Sequence, residues 1–247
     1  MKYQKTLSAA FALAAALFIC AGCAEGPGFP SMSLAKFVRA PCGDDDAGAV
    51  GFSTGVAIVE QYDMTGDESD DFASSFYFFP AEGALSFWLA ENYDLSLSVN
   101  MNALAFLEGS LGADLGGVRV AFLHGVGLGI WGEATGYEDD WAGSLPYAFS
   151  AGLLIQTTLW KSGALFLGVR YTYSSAEGLG EAADSETDEW AHYATGSLGY
   201  TFTTGALRIT PEFILSYGHR YRSDPDDSTY DDGAWMILPT INIAASF

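Results

Sequence analysis

The residues from which chemistry or selectivity would come are Arg119, Arg170, Arg208, Asp94, Glu108, Asp114 and Glu212. Each lies in a stretch that alternates apolar and polar residues, and each falls on the polar phase. In strands, such residues share one face. Charges gathered on an enclosed face must pair or stay wet, because leaving water unpaired is costly. Two roles fit such a set. The charges either fill a narrow bore as a polar plug or form a constriction that selects small solutes by charge.

Other chemistry finds less support. His192 or His219 with Ser174 or Ser216 would be the candidates for a lipid-modifying enzyme at a barrel rim, but spacing alone does not match their faces, and no enzyme is expected. There is no HExxH, no CxxC, and no glycine-rich phosphate loop, since Gly178–Gly180 lies in an acidic stretch. Cys42 is left alone once Cys20 departs with a leader and Cys23 is consumed, so no disulfide framework exists.

The net charge is −21, from 31 acids against 10 bases, which argues against nucleic acid as a partner. Most of the acids fall in residues 63–71, 131–144, 175–189 and 220–232. Oxygen-rich loops bind Ca²⁺ or bridge through divalent ions to anionic head groups. Asp226, Asp227, Asp231 and Asp232 are the weak metal candidates, although they lack the spaced ligands and glycine of an EF-hand loop. No cofactor is expected beyond structural divalent cations at these loops.

The elements that would position the charges are strands. Ala206–Tyr217 sets Leu207, Ile209, Pro211, Phe213, Leu215 and Tyr217 against Arg208, Thr210, Glu212 and Ser216. Its length exceeds the ~9–11 residues a tilted strand needs to cross a bilayer. The pattern recurs from Gly48 to Phe247, with long acidic links alternating with short ones at Gly116-Gly117, Leu159–Gly163 and Thr203–Gly205. The spacing predicts ten strands, with Phe72–Leu89 as one strand despite Pro80 and Gly83. Eight or twelve follow if that stretch or Ser31–Arg39 is assigned differently. Pro211 and Pro239 predict bulges or register breaks.

The polar face is mostly Gly, Ser, Thr and Ala with almost no lysine, which suits a narrow lumen better than a water-facing coat. The apolar face carries Tyr62, Tyr93, Tyr147, Trp190, Tyr217 and Trp235 near strand ends, where an interfacial girdle would lie. His124 is the awkward residue on that face. The fold class expected is therefore all-β, a closed antiparallel up-and-down transmembrane β-barrel over residues 48–247. The alternative is a soluble lipocalin-like periplasmic binding barrel, apolar inside and charged outside.

Residues 1–22 read as a signal peptide, with Lys2 and Lys5 ahead of the apolar run Leu7–Ile19. The sequence Cys20-Ala21-Gly22-Cys23 resembles the lipobox of bacterial lipoproteins, which implies acylation of Cys23. Residues 23–47, with Gly26, Pro27, Gly28, Pro30 and Pro41, then read as a flexible tether. The terminal Phe247 on an alternating last strand resembles the C-terminal signal that barrel-insertion machinery reads in outer-membrane proteins. Together these resemblances imply a bacterial outer-membrane β-barrel with a periplasmic N-terminus, in contact with outer-membrane lipid and lipopolysaccharide. Its oligomeric state is not legible.

Overall fold

Three consecutive aliphatic residues show how the chain uses its alternation. Leu154 is 1% exposed, whereas its neighbours Leu153 and Ile155 are 50% and 47% exposed. Residue type does not separate them; only the face of the strand does. A computed structural model describes residues 32–39, 47–62, 73–100, 104–129, 143–160, 163–179, 188–223 and 230–247.

Ten strands follow one another: β1 (Gly48–Tyr62), β2 (Ala73–Ala90), β3 (Tyr93–Asn100), β4 (Leu104–Leu115), β5 (Val118–Gly129), β6 (Gly143–Trp160), β7 (Gly163–Leu179), β8 (Asp188–Thr204), β9 (Leu207–Ser223) and β10 (Tyr230–Ser246). Each pairs antiparallel with its sequence neighbours, and β10 returns to β1, closing the barrel. Closure leaves no edge strand along the height that neighbouring strands share. Ala47 N–H donates to Phe247 C=O at 2.8 Å and Phe247 N–H to Gly48 C=O at 3.1 Å, so both barrel termini meet at one end. The tight turns cluster there too. Gly116 and Gly117, at φ 64° and 93°, supply the left-handed backbone that a two-residue hairpin demands.

At the opposite end the wall is uneven. β3, β4 and β5 have 8, 12 and 12 residues, while β6 to β10 have 17 or 18. The longer strands outrun the ~9–11 residues a crossing needs. Much of what was expected as loop at 175–189 and 220–232 is therefore strand. The register sets Glu189 opposite Arg222 and Asp232 opposite Arg220.

The prolines behave differently from expectation. No register shift accompanies Pro211 or Pro239. Pairing lapses between Gly199↔Glu212 and Phe202↔Ile209, and between Gly55↔Thr240 and Ile58↔Ile237, then resumes in the same register. A missing N–H removes a ladder bond, but intact rows on both sides hold the alignment. The bulge lies instead beside Pro80, where β2 gains one residue between the rows Thr54↔Ala81 and Val56↔Phe78. Pro80 thus kinks one long strand and does not end it.

The outer surface is apolar. Leu207, Phe213, Val169 and Ile243 are exposed, as are Phe149 and Leu167. This excludes the lipocalin-like arrangement, whose apolar side chains would meet in the centre. Aromatic pairs mark the ends of the band: Tyr217–Trp235 and Trp190–Tyr221 at 5.0 Å on the tall side, Tyr200–Phe202 at 4.5 Å near the short turns. Tyr93 and Tyr147 join them, while the side chain of Tyr62 lies outside the described residues. His124 is half-buried, stacked on Phe122 at 5.8 Å, with Tyr93 Oη 3.5 Å from Nε2.

A charge placed on this surface tests its solvent. Leu153→Lys should cost about 2–4 kcal/mol, and Leu115→Lys beside the Gly116 turn ~1 kcal/mol or less. Urea titrations of the barrel folded into lipid vesicles measure both.

Candidate functional site

The inward face is lined by small polar residues, including Ser53, Ser96, Ser98, Ser110, Thr172 and Ser216, all buried. Glycines widen the bore between them. What fills the space is the chain's own segment Met32–Arg39, which makes one 3-10 turn (Ala35–Phe37) and joins no ladder. A Cβ added at Gly168 would stand 2.2 Å from Leu34 Cδ1, so the wall is thinned where the segment lies against it.

One side of the segment is apolar. Leu34, Phe37 and Val38 pack with Ala121, Leu123, Leu154, Ala164 and Phe166, while Met32 packs with Tyr193, Ile214 and Met236. The other side is ionic. Lys36 Nζ lies 2.7 Å from Glu82 Oε1 and 3.1 Å from Ser98 Oγ, and contacts Glu108 Oε2. Arg170 Nη1 donates to the other oxygen of Glu108 at 2.9 Å. Nearer the short turns, Asp94 receives Arg39 at 2.5 Å and Arg119 at 3.1 Å. Glu212 accepts from Ser33 Oγ at 2.7 Å, Leu34 N–H at 2.9 Å and Ser197 Oγ.

Backbone groups of the segment are met by wall side chains. Gln156 Oε1 accepts Arg39 N–H at 2.9 Å, Ser86 Oγ donates to Lys36 C=O at 3.3 Å, and Arg208 Nη1 donates to Val38 C=O at 3.3 Å. This is the satisfaction that buried peptide groups require when no ladder supplies it. Beside Lys36, between Ser86, Arg208, Thr210 and Asn242, a cavity of about 20 Å³ remains, room for roughly one water.

The contacts also give the segment a direction. Arg39 touches the β2–β3 turn at the short-turn end, Lys36 lies at mid-height, and Met32 lies beside Ile214 and Met236 further toward the tall end.

Six of the expected luminal residues, Arg119, Arg170, Arg208, Glu108, Glu212 and Asp94, are buried inside the barrel. Asp114 is not: it is exposed beside the β4–β5 turn, beyond the enclosed part of the bore, though in register with Arg119. The site also uses Ser33, Lys36, Arg39 and Glu82, which the alternation did not reveal. Lys36 was conspicuous as a lysine set among apolar residues in a chain with few lysines, and that was the available signal.

The expected flexible tether is corrected over residues 32–39, which are buried and held by the wall. Nor do they form the extra strand. Residues 23–31 and 40–46, with Cys23 and Cys42, lie outside the described residues. His192 and His219 face outward in the aromatic girdle, with His192 Nδ1 bonded to Tyr171 Oη and Trp190 5.9 Å from His219. Ser216 faces inward and bonds Thr195 at 2.9 Å, and Ser174 shares that inward phase, so the His–Ser pairs do not form. Asp226 and Asp227 lie outside the described residues, and Asp231 and Asp232 sit on β10 with undescribed side chains. Among the described residues no group of three or more His, Cys, Asp or Glu could hold a metal ion.

An apolar exterior, a closed ladder and a charged interior together define a transmembrane β-barrel of the outer-membrane type, here stoppered by its own N-terminal segment. No family model matches the sequence, and no curated protein matches it. Among solved structures it is similar to the Escherichia coli outer membrane protease OmpT, with TM-score 0.40 and 9% identity over 86% of this chain and 100% of that one. It is also similar to Neisserial surface protein A, with TM-score 0.34 and 10% identity over 81% and 99% of the two chains. For the P. putida toluene transporter TodX the values are 0.31, 6%, 86% and 91%. Likenesses this low assign neither family nor role.

Glu108 joins Lys36 of the segment to Arg170 of the wall. Glu108→Gln leaves two buried cations facing each other and should cost about 3–5 kcal/mol. Glu82→Gln should cost less, because Lys36 keeps Glu108. Urea midpoints of the purified barrels compare the two.

Proposed function

We propose that the protein is an outer-membrane barrel that passes small solutes, closed at rest by residues 32–39 and open where a lipid on Cys23 holds the N-terminus in the periplasm. The observation that carries this reading is that the stopper takes no part in the ladder. Its departure would break no strand pairing, and the ten-stranded wall would remain closed on itself. The surface uncovered would combine serine, threonine and charge, which water wets and rings of charge can tune, with the apolar patch of Leu123, Leu154, Phe166, Ile214 and Met236 that the segment covers.

In this reading Phe247 serves as the signal for insertion, and the lipid at Cys23 belongs to the open form, from which the segment has withdrawn. The N-terminus of that form is periplasmic, and the acidic links at the tall end approach lipopolysaccharide through divalent ions. The charged set at mid-height, Glu82, Glu108 and Arg170, forms the constriction.

Planar-bilayer recording tests the conduit. The full-length wild type without an acyl chain should show no steady conductance. Lys36→Glu, which sets a third carboxylate against Glu82 and Glu108, should open the bore while keeping heat-modifiable gel migration. A folded Lys36→Glu barrel as silent as wild type removes the conduit. Labelling with radioactive fatty acid tests the anchor: label should enter the wild type and be lost in Cys23→Ser.

A further inference from the structure

We propose that Glu82, Ser98 and Glu108 form a binding site for the primary ammonium group of a small solute, occupied at rest by Lys36 of the chain itself. The proposal rests on the conduit reading, because a travelling solute meets the site only where Lys36 has withdrawn.

The three acceptors come from three adjacent strands, β2, β3 and β4, so the wall builds the site and the segment merely fills it. An ammonium carries three donors and no acceptor, and the site offers three oxygens: Glu82 Oε1 at 2.7 Å, Ser98 Oγ at 3.1 Å and Glu108 Oε2. Both carboxylates are nearly out of solvent, and so is the Lys36 side chain. In so dry a place charge must balance locally. Arg170 pairs with Glu108, and the ammonium supplies the positive charge that meets both carboxylates.

A second observation is independent of Lys36. Arg170 is 3% exposed, yet its Nε and Nη2 have no hydrogen-bond partner among the described residues. Its third nitrogen, Nη1, donates to Glu108, the same carboxylate whose other oxygen meets the ammonium. The aliphatic stem of Lys36 has no oxygen to give Nε and Nη2. A small amine bearing a hydroxyl or carboxylate oxygen does, so the solute class is oxygen-bearing primary amines. Cations without N–H donors lack the feature that the three oxygens read.

The experiment follows from what Lys36→Ala deletes: Cγ through Nζ, the atoms of n-propylammonium. The full-length variant in detergent micelles should melt below wild type, and n-propylammonium should raise its midpoint. Tetramethylammonium at equal concentration should not. Lys36→Met, which keeps the stem's volume, should gain nothing, and Lys36→Ala combined with Glu108→Gln should lose the gain. Equal effects of the two cations, or a gain that survives Glu108→Gln, would overturn the site.

Should Lys36→Ala fail to fold, Gly168→Leu displaces Leu34 and leaves every charge in place. Across a planar bilayer n-propylammonium should then block potassium current at concentrations about tenfold below tetramethylammonium, the ratio that 1.4 kcal/mol of selective contact confers. Equal block overturns the site. A folded Gly168→Leu barrel that passes no current defeats the conduit instead, and the site is then judged by whether n-propylammonium, and not tetramethylammonium, raises the melting midpoint of that same variant.

Discussion

A closed ten-stranded ladder lined with serine, threonine and glycine encloses more room than its own side chains fill, and that constraint shapes the rest of the structure. Small barrels usually close their interiors with large wall residues. Here Gly168 and its small neighbours leave a channel as wide as a peptide, and the chain supplies the peptide. The outward face had no such freedom. Lipid offers no hydrogen bonds, so the strands had to satisfy every backbone group among themselves and present Leu153, Val169 and Phe213 outside.

The stopper is held half by grease and half by charge, and the two halves act differently. Leu34, Phe37 and Val38 supply burial, which any apolar segment of similar shape could match. Lys36 and Arg39 supply address. A buried ion pair adds little net stability over an apolar pair, yet it penalises misplacement heavily, because a displaced partner leaves an uncompensated charge behind. The Glu108 carboxylate, shared between Lys36 and Arg170, therefore fixes where the segment stops along the bore.

The architecture was largely legible because a period of two survives in nearly every strand. The sides taken by Arg119, Arg170, Arg208 and Glu212 follow from it, whereas the ten-strand count rested on taking Phe72–Leu89 as one strand, a stretch that Pro80 and Gly83 left ambiguous. The stopper was not legible. Eight residues with one 3-10 turn carry no period, and Leu34, Lys36 and Phe37 form two faces only against a wall that the sequence does not display. Glu82 was lost in the ambiguity around Pro80 and Gly83. Asp114 shows the opposite failure: phase told its side, but not that the enclosure ends before it is reached. At Pro211 and Pro239 a local rule exaggerated the damage, because neighbouring rows hold a register that one absent donor cannot move.

The polarity of the stopper makes an acyl group and a sealed bore rivals for the same stretch of polypeptide. Eight residues lie between Cys23 and Met32, so their separation is at most ~32 Å when fully extended. Met32 stands on the tall side of Arg39, so a fatty-acylated Cys23 sunk in the periplasmic leaflet would need a second pass of backbone alongside the first. The gap beside Lys36 admits a water molecule, not a peptide. Lipidation on that side would keep the cork out of the bottle; a cork in place would confine any acylated terminus to the far side of the membrane.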